Sequence, residues 1–191
     1  MQLAVLVSGS GTLLESMLAA DVPVALVVAD RPCRGLAIAS ENGVASELVE
    51  RTDFGPEFDR DGYAQHLADV LLSHNIDLVA MAGFGTVLAE PIFTALPGRI
   101  INTHPALLPS FPGWHAVSDA MAAGVKVTGC TIHVATPVVD DGPILAQEAV
   151  AILEDDDEAS LHERIKAVER RLYVNTLRSI ADSGQLLGTK I

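Results

Sequence analysis

An amide and an imidazole two residues apart, Asn102-Thr103-His104, close an apolar run, and Pro105, Pro109 and Pro112 stiffen the chain that leaves it. Residues two apart in a strand share a face, so both polar side chains should project together from the strand's carboxyl end. Open α/β sheets place their ligands there. An amide N–H can steady a developing negative oxygen, and an imidazole can move a proton near neutral pH. The competing reading is a buried histidine with a satisfied hydrogen bond. A third polar candidate is Asp140, in Asp140-Asp141-Gly142-Pro143. Such a cluster ordinarily makes a turn, but this one follows Gly129-Cys130-Thr131-Ile132-His133 and joins two strands of one sheet. Asp140 could therefore reach His104, where a carboxylate favours the imidazolium.

Ser8-Gly9-Ser10-Gly11-Thr12 lies between a first strand and a first helix. Unpaired N–H groups and the helix dipole make that position suited to an anion. No Gly-Lys-Ser/Thr ending follows, so it is not the phosphate loop of the NTPases. Leu14 stands where a dinucleotide fingerprint needs its third glycine, although Asp30, ending the second strand, invites comparison with a ribose-binding acid. A phosphate site, a dinucleotide site and a plain tight turn all remain open on these residues.

The elements that must position these groups are legible as a beat of apolar runs. Strands are expected at Gln2–Val7, Val22–Ala29, Ala45–Val49, Asp77–Met81 and Arg99–Thr103. Helices are expected at Leu13–Ala20, Gly35–Asn42, Tyr63–His74 and Ala89–Leu96. Continuous apolar strands alternating with amphipathic helices mean a parallel sheet covered on both faces. After Gly124 two strands, Val127–Ala135 and Ile144–Ile152, precede a long helix from Asp157 to Asp182. Leu161, Ile165, Val168, Leu172 and Ile180 trace its expected buried stripe. The reading is one doubly wound α/β domain with a Rossmann-like first half, divided near residue 100 into the half that carries the glycine loop, 1–100, and the half that carries Asn102, His104 and Asp140, 101–191.

Composition narrows the function. Twelve Lys and Arg against 25 Asp and Glu give a formal charge of −13, and 49% of the 191 residues are hydrophobic. A nucleic-acid partner wants a basic footprint; an anionic substrate here must be met by a few local cations and backbone amides. No apolar run reaches the roughly 20 residues of a membrane span, and no signal-peptide layout precedes the first strand. A cytoplasmic protein is expected, with Cys33 and Cys130 as ordinary reduced thiols. Glu154-Asp155-Asp156-Asp157-Glu158 reads as solvated charge at the start of the last helix rather than as a metal site; no metal is expected elsewhere.

Together these segments resemble the phosphoribosylglycinamide formyltransferase family. The resemblance runs from the Ser-Gly-x-Gly-Thr loop to the last helix. It is most specific in Asn102-Thr103-His104-Pro105-Ala106-Leu107-Leu108-Pro109, in Phe111-Pro112-Gly113, in the Asp140-x-Gly-Pro turn and in Ala82-Gly83-Phe84. It implies that Gly11, Thr12 and Leu13 hold the substrate phosphate through backbone amides. Lys166 and Glu169, which alone would read as surface charges, match positions near phosphate and ribose. For 10-formyltetrahydrofolate it implies Gly85, Thr86, Val87 and Leu88, Arg60 before the third helix, Asn102, and the 135–140 loop with Val138, Val139 and Asp140. The Leu108–Pro109 bond matches a cis-proline. Three departures stand out: Leu13 for asparagine, Gly85-Thr86 for Met-Arg, and Pro137 in the folate loop.

The implied chemistry is attack of the glycinamide amine on the formyl carbon, through a tetrahedral intermediate. Asn102 would face the oxyanion, His104 would supply charge and a proton, and Asp140 would keep His104 charged and help deprotonate the amine. Thr131 would either position a water or serve as an ordinary strand threonine. Other readings are a formyltetrahydrofolate deformylase, methionyl-tRNA formyltransferase (which carries a further domain and must meet tRNA), and a non-catalytic folate- or nucleotide-binding module. The expected partners are small molecules, with neither nucleic acid nor membrane; the family includes dimers.

Overall fold

Five consecutive residues, Leu3–Val7, have no exposed surface at all and form β1, so helices must cover both of its faces. The computed structural model describes residues 1–186 and 189–190. The strand order is β3-β2-β1-β4-β5-β6-β7, with β2 at Val24–Ala29, β3 at Ala45–Leu48, β4 at Leu78–Met81, β5 at Ile100–His104, β6 at Val127–Val134 and β7 at Ile144–Ala151. The pairs from β3 to β5 are parallel, and β6–β7 is antiparallel. This is the mostly parallel α/β class expected from the alternation of elements. A short antiparallel pair, β8 (Gln185–Leu186) with β9 (Thr189–Lys190), follows.

The chain divides into two compact units, Met1–Ile101 and Asn102–Lys190. In the first, α1 (Thr12–Ala19), α2 (Arg34–Glu41), α3 (Arg60–Ser73) and α4 (Glu90–Ala95) alternate with the strands. Neighbours β1 and β4 receive their connections from opposite sides of the sheet order, which makes their carboxyl ends the topological switch point. Gly11 caps α1 with φ 71°, a conformation that suits glycine. A side chain there would also meet Ile38 at 2.6 Å, so the loop after β1 is held close to α2. Arg60 is the first residue of α3 rather than a residue before it, because Asp59 caps the helix by accepting from the Gly62 N–H.

In the second unit, α5 (Ala116–Ala122) went unanticipated: its small residues give little periodicity to read. The long helix α6, Glu158–Ser183, starts at a capping box in which Asp157 and Ser160 satisfy each other's backbone N–H groups. Gly184 ends it with φ 61°. The acidic run therefore has structural work: Asp157 caps, and Asp156 pairs with Arg164. The buried stripe of α6 is Leu161, Ile165, Tyr173, Val174, Leu177 and Ile180. Val168 and Leu172 are only half-buried, so the expected stripe drifts one position after the third turn. Leu108–Pro109 is cis.

Candidate active site

His104, the last residue of β5, is 4% exposed, and an acceptor faces each of its ring nitrogens. Nδ1 lies 3.3 Å from Oδ2 of Asp140, and Nε2 lies 2.7 Å from the Phe111 carbonyl. Asp140, with φ 59°, occupies the left-handed region unusual for a non-glycine residue, as does Phe111 with φ 55°. The loop between β6 and β7 holds the Asp140 carboxylate inward, and the Gly113 N–H donates to its Oδ2 at 2.8 Å. Burial opposes ionisation of Asp140, but hydrogen bonds from His133 and Gly113 and the charge of His104 outweigh it, holding the carboxyl below its ordinary pKa. The Asp140 carboxylate does come within reach of the His104 ring.

A second imidazole belongs to the same cluster. His133, 1% exposed on β6, has Nδ1 at 3.1 Å from the Val134 carbonyl. Its Nε2 lies 3.6 Å from Oδ1 of Asp140 and 3.4 Å from Nδ2 of Asn102. The sequence reading passed over His133 because an apolar strand surrounds it. The available signal was its alternation with Thr131, which puts the two on one face. Thr131 does not have a hydroxyl free for a water. It donates to the Ala106 carbonyl at 2.6 Å and accepts from the Leu108 N–H at 3.1 Å and Gln147 Nε2 at 2.9 Å. A hydroxyl has one proton and two lone pairs, so its capacity is filled and its role is to hold residues 106–108 beside His104. This corrects the water-positioning alternative.

On the opposite face of β5, Thr103 donates to Glu169 at 2.9 Å. Burial raises the Glu169 pKa, against that hydrogen bond, so Glu169 is no surface charge. Lys166, one turn earlier on α6, pairs with Glu163 at 2.8 Å. Val138 and Val139 are 62% and 52% exposed on the loop that carries Asp140. Cys130 is buried, and burial pushes its thiol up to about 12, as befits an unreactive cysteine.

The first unit places its own candidates at the switch point. No side chain caps the first turn of α1, and Leu13 is buried, so only main-chain N–H groups are presented there. Ser8 Oγ accepts from the Gly85 N–H at 2.6 Å, tying the loop after β4 to the loop after β1. Thr86 is buried and donates to Asp30 at 2.8 Å. Leu88 is buried and Val87 half-buried. Asp30, fully buried, also takes a two-pronged pair from Arg31. Burial alone would raise its pKa; Arg31, Thr86 and Ser8 reverse this and lower it. With its oxygens so engaged, Asp30 offers no free acceptor to a ribose, and the dinucleotide reading is withdrawn. The hydroxyl of Thr86 likewise points inward rather than toward a ligand.

Among known proteins, residues 1–177 match the model of the formyl transferase family. A phosphoribosylglycinamide formyltransferase of Mycobacterium tuberculosis (strain ATCC 25618 / H37Rv) is 45% identical over 188 residues, covering 96% of this chain and 86% of that protein. A glycinamide ribonucleotide transformylase 1 of Symbiobacterium toebii superposes with a TM-score of 0.90 at 39% identity, covering 98% of this chain and 90% of that one. A phosphoribosylglycinamide formyltransferase of Bacillus halodurans gives 0.88 at 36%, covering 98% of each. An amide, two imidazoles and a carboxylate gathered at the end of β5, within a fold these proteins share over nearly its whole length, have one common explanation: the chain belongs to the formyl transferase family.

Proposed function

We propose that this chain is a phosphoribosylglycinamide formyltransferase, moving a formyl group from 10-formyltetrahydrofolate to the amine of 5'-phosphoribosylglycinamide in purine synthesis. The observation that carries the chemistry is the buried His104–Asp140 pair beside Asn102. A C–N bond forms between amine and formyl carbon, and the bond from that carbon to the folate nitrogen breaks. Asn102 donates to the formyl oxygen as it gains charge; a donor so placed contributes about 2.7–4 kcal/mol in other enzymes. His104 adds positive charge beside the same oxygen and gives its Nε2 proton to the departing nitrogen, the substrate replacing Phe111 as acceptor. Asp140 holds His104 in that form and receives, through water, the proton shed by the amine.

Gly11, Thr12 and Leu13 receive the substrate phosphate on main-chain N–H groups. Lys166 and Glu169 serve phosphate and ribose, Glu169 being already turned inward by Thr103. Val138, Val139 and the backbone of Gly85–Leu88 take the folate. The main-chain phosphate groups belong to the first half of the chain and the catalytic side chains to the second. No described helix is long and apolar enough to cross a membrane, and small-molecule substrates in the cytoplasm fit an acidic protein that meets its anions locally.

The test is purified protein with 10-formyltetrahydrofolate, with and without phosphoribosylglycinamide, following tetrahydrofolate and free formate together. Tetrahydrofolate formed only with the amine, and without formate, supports transfer. Formate released without the amine would instead mean a deformylase, and binding without either product a non-catalytic module.

A further inference from the structure

Asp30, which follows β2, has no exposed surface, and the proposed chemistry makes no use of it. A carboxylate so placed is costly unless hydrogen bonds replace the water it has lost. Three segments supply them. Arg31 donates from Nε to Oδ1 at 3.0 Å and from Nη2 to Oδ2 at 3.1 Å. Thr86, 1% exposed on the loop after β4, donates to Oδ2 at 2.8 Å. The Ser8 hydroxyl, on the loop after β1, donates to the same carboxylate. The main chain of Asp30 is fixed as well, its carbonyl accepting from the Arg51 N–H at 2.8 Å.

The two loops also meet each other directly. A hydroxyl that donates can still accept, and Ser8 Oγ accepts from the Gly85 N–H at 2.6 Å. A Cβ at residue 85 would stand 3.4 Å from Ser8 Oγ and 3.2 Å from Nη2 of Arg31, so glycine lets the three segments approach this closely. Ser8 is three positions before Gly11, and between them the Gly9 carbonyl accepts from the Gly35 N–H at 3.3 Å. A shift of Ser8 therefore carries with it the turn that opens α1. If either loop moved alone, a buried charge would lose a donor without gaining water, the costly way to break such a network. An apolar side chain would fill the same space, but it could hold neither loop by direction.

We infer that Asp30 is a positioning residue serving both substrates at once: it ties the loop proposed to take the acceptor's phosphate to the loop proposed to take the formyl donor. The inference rests on the formyl-transfer reading above, in which those loops are residues 11–13 and 85–88. Asp30 touches neither substrate. Its effect passes through Ser8 to one and through Thr86 to the other, so a change on one loop must be felt by the ligand of the other.

Thr86→Val, which removes the donor to Asp30 and keeps the side chain's size, is the decisive variant. Calorimetric titration of the intact protein with phosphoribosylglycinamide alone should show its affinity lowered about fivefold, the lower end of couplings between separate sites, although residue 86 lies on the donor's loop. Thr86→Ser should restore it. In turnover, Asp30→Asn and Thr86→Val should raise KM for both phosphoribosylglycinamide and 10-formyltetrahydrofolate, with kcat much less affected. Ser8→Ala combined with Thr86→Val should weaken the acceptor by less than the product of the single effects, because both act through one carboxylate. Should Asp30→Asn fail to fold, the Ser8 and Thr86 variants carry the test unaided. An acceptor affinity untouched by Thr86→Val, or independent effects in the double variant, would overturn the inference, as would a lowered thermal midpoint with binding unchanged. Acceptor binding that Thr86→Val weakens, in a protein that transfers no formyl group, would sink the catalytic reading alone. Formyl transfer with acceptor binding indifferent to Thr86→Val would sink this one alone.

Discussion

Asp140 sits between two imidazoles, and the two do different things to it. His104 is the partner through which it acts on the reacting carbon, whereas His133 and the Gly113 N–H keep it ionised despite burial. Removing His104 should therefore abolish proton transfer while leaving the carboxylate in place: His104→Ala should lower kcat by about 10²–10⁴-fold, with folate affinity and thermal midpoint near those of the wild type. Unchanged kcat would remove His104 from the mechanism. His133→Phe should act through Asp140 instead. Loss of a hydrogen bond to the charged form raises a carboxyl pKa, so the acid limb of kcat/KM should move to higher pH with a smaller loss at neutral pH. An acid limb that stays where it is would make His133 a packing residue only.

At the scale of elements, the site depends on how β6 grips the chain that leaves β5. Thr131 does this with one hydroxyl and three hydrogen bonds. Thr131→Val leaves the Leu108 N–H unpaired and should cost about 1–3 kcal/mol, with a fall in kcat; Thr131→Ser keeps the hydroxyl and should recover most of both. Denaturant titration and steady-state rates would show it, and a valine variant as stable and active as the wild type would refute the role. The turn carrying Asp140 is equally constrained. A Cβ at Gly142 would lie 1.6 Å from the Val134 carbonyl, so Gly142→Ala must displace the loop and should reduce activity as Asp140 moves.

Across the whole molecule, two buried acids link stability to pH with the same sign. Asp30 and Asp140 both have lowered pKa values in the folded protein. Each contributes stability that is fully present above the unfolded carboxyl pKa and is lost as pH falls through the lower folded value. Unfolding followed from neutral to acid pH should show stability declining below about pH 4, and the decline should be shallower in Asp140→Asn. Much of this molecule was legible in its sequence, and the rest was hidden for physical reasons. Asn102 and His104 stood out because polar residues ending an apolar strand need a cause, and Asp140 because its turn joins two strands of one sheet. His133 did not, since a histidine within Cys130-Thr131-Ile132-His133-Val134 looks like core. The Asp30–Arg31–Thr86 shell was invisible because it depends on side-chain direction between segments 56 residues apart. Spacing carries no such information. The claim on which all else depends is that the carboxylate of Asp140 serves the transfer step through His104. Single-turnover formyl transfer by Asp140→Asn, with both substrates saturating, tests it most directly. The expected result is a rate lower by about 10²–10⁴-fold, a displaced acid-to-neutral limb, and nearly unchanged binding of both substrates; a transfer rate and pH profile equal to the wild type would contradict it.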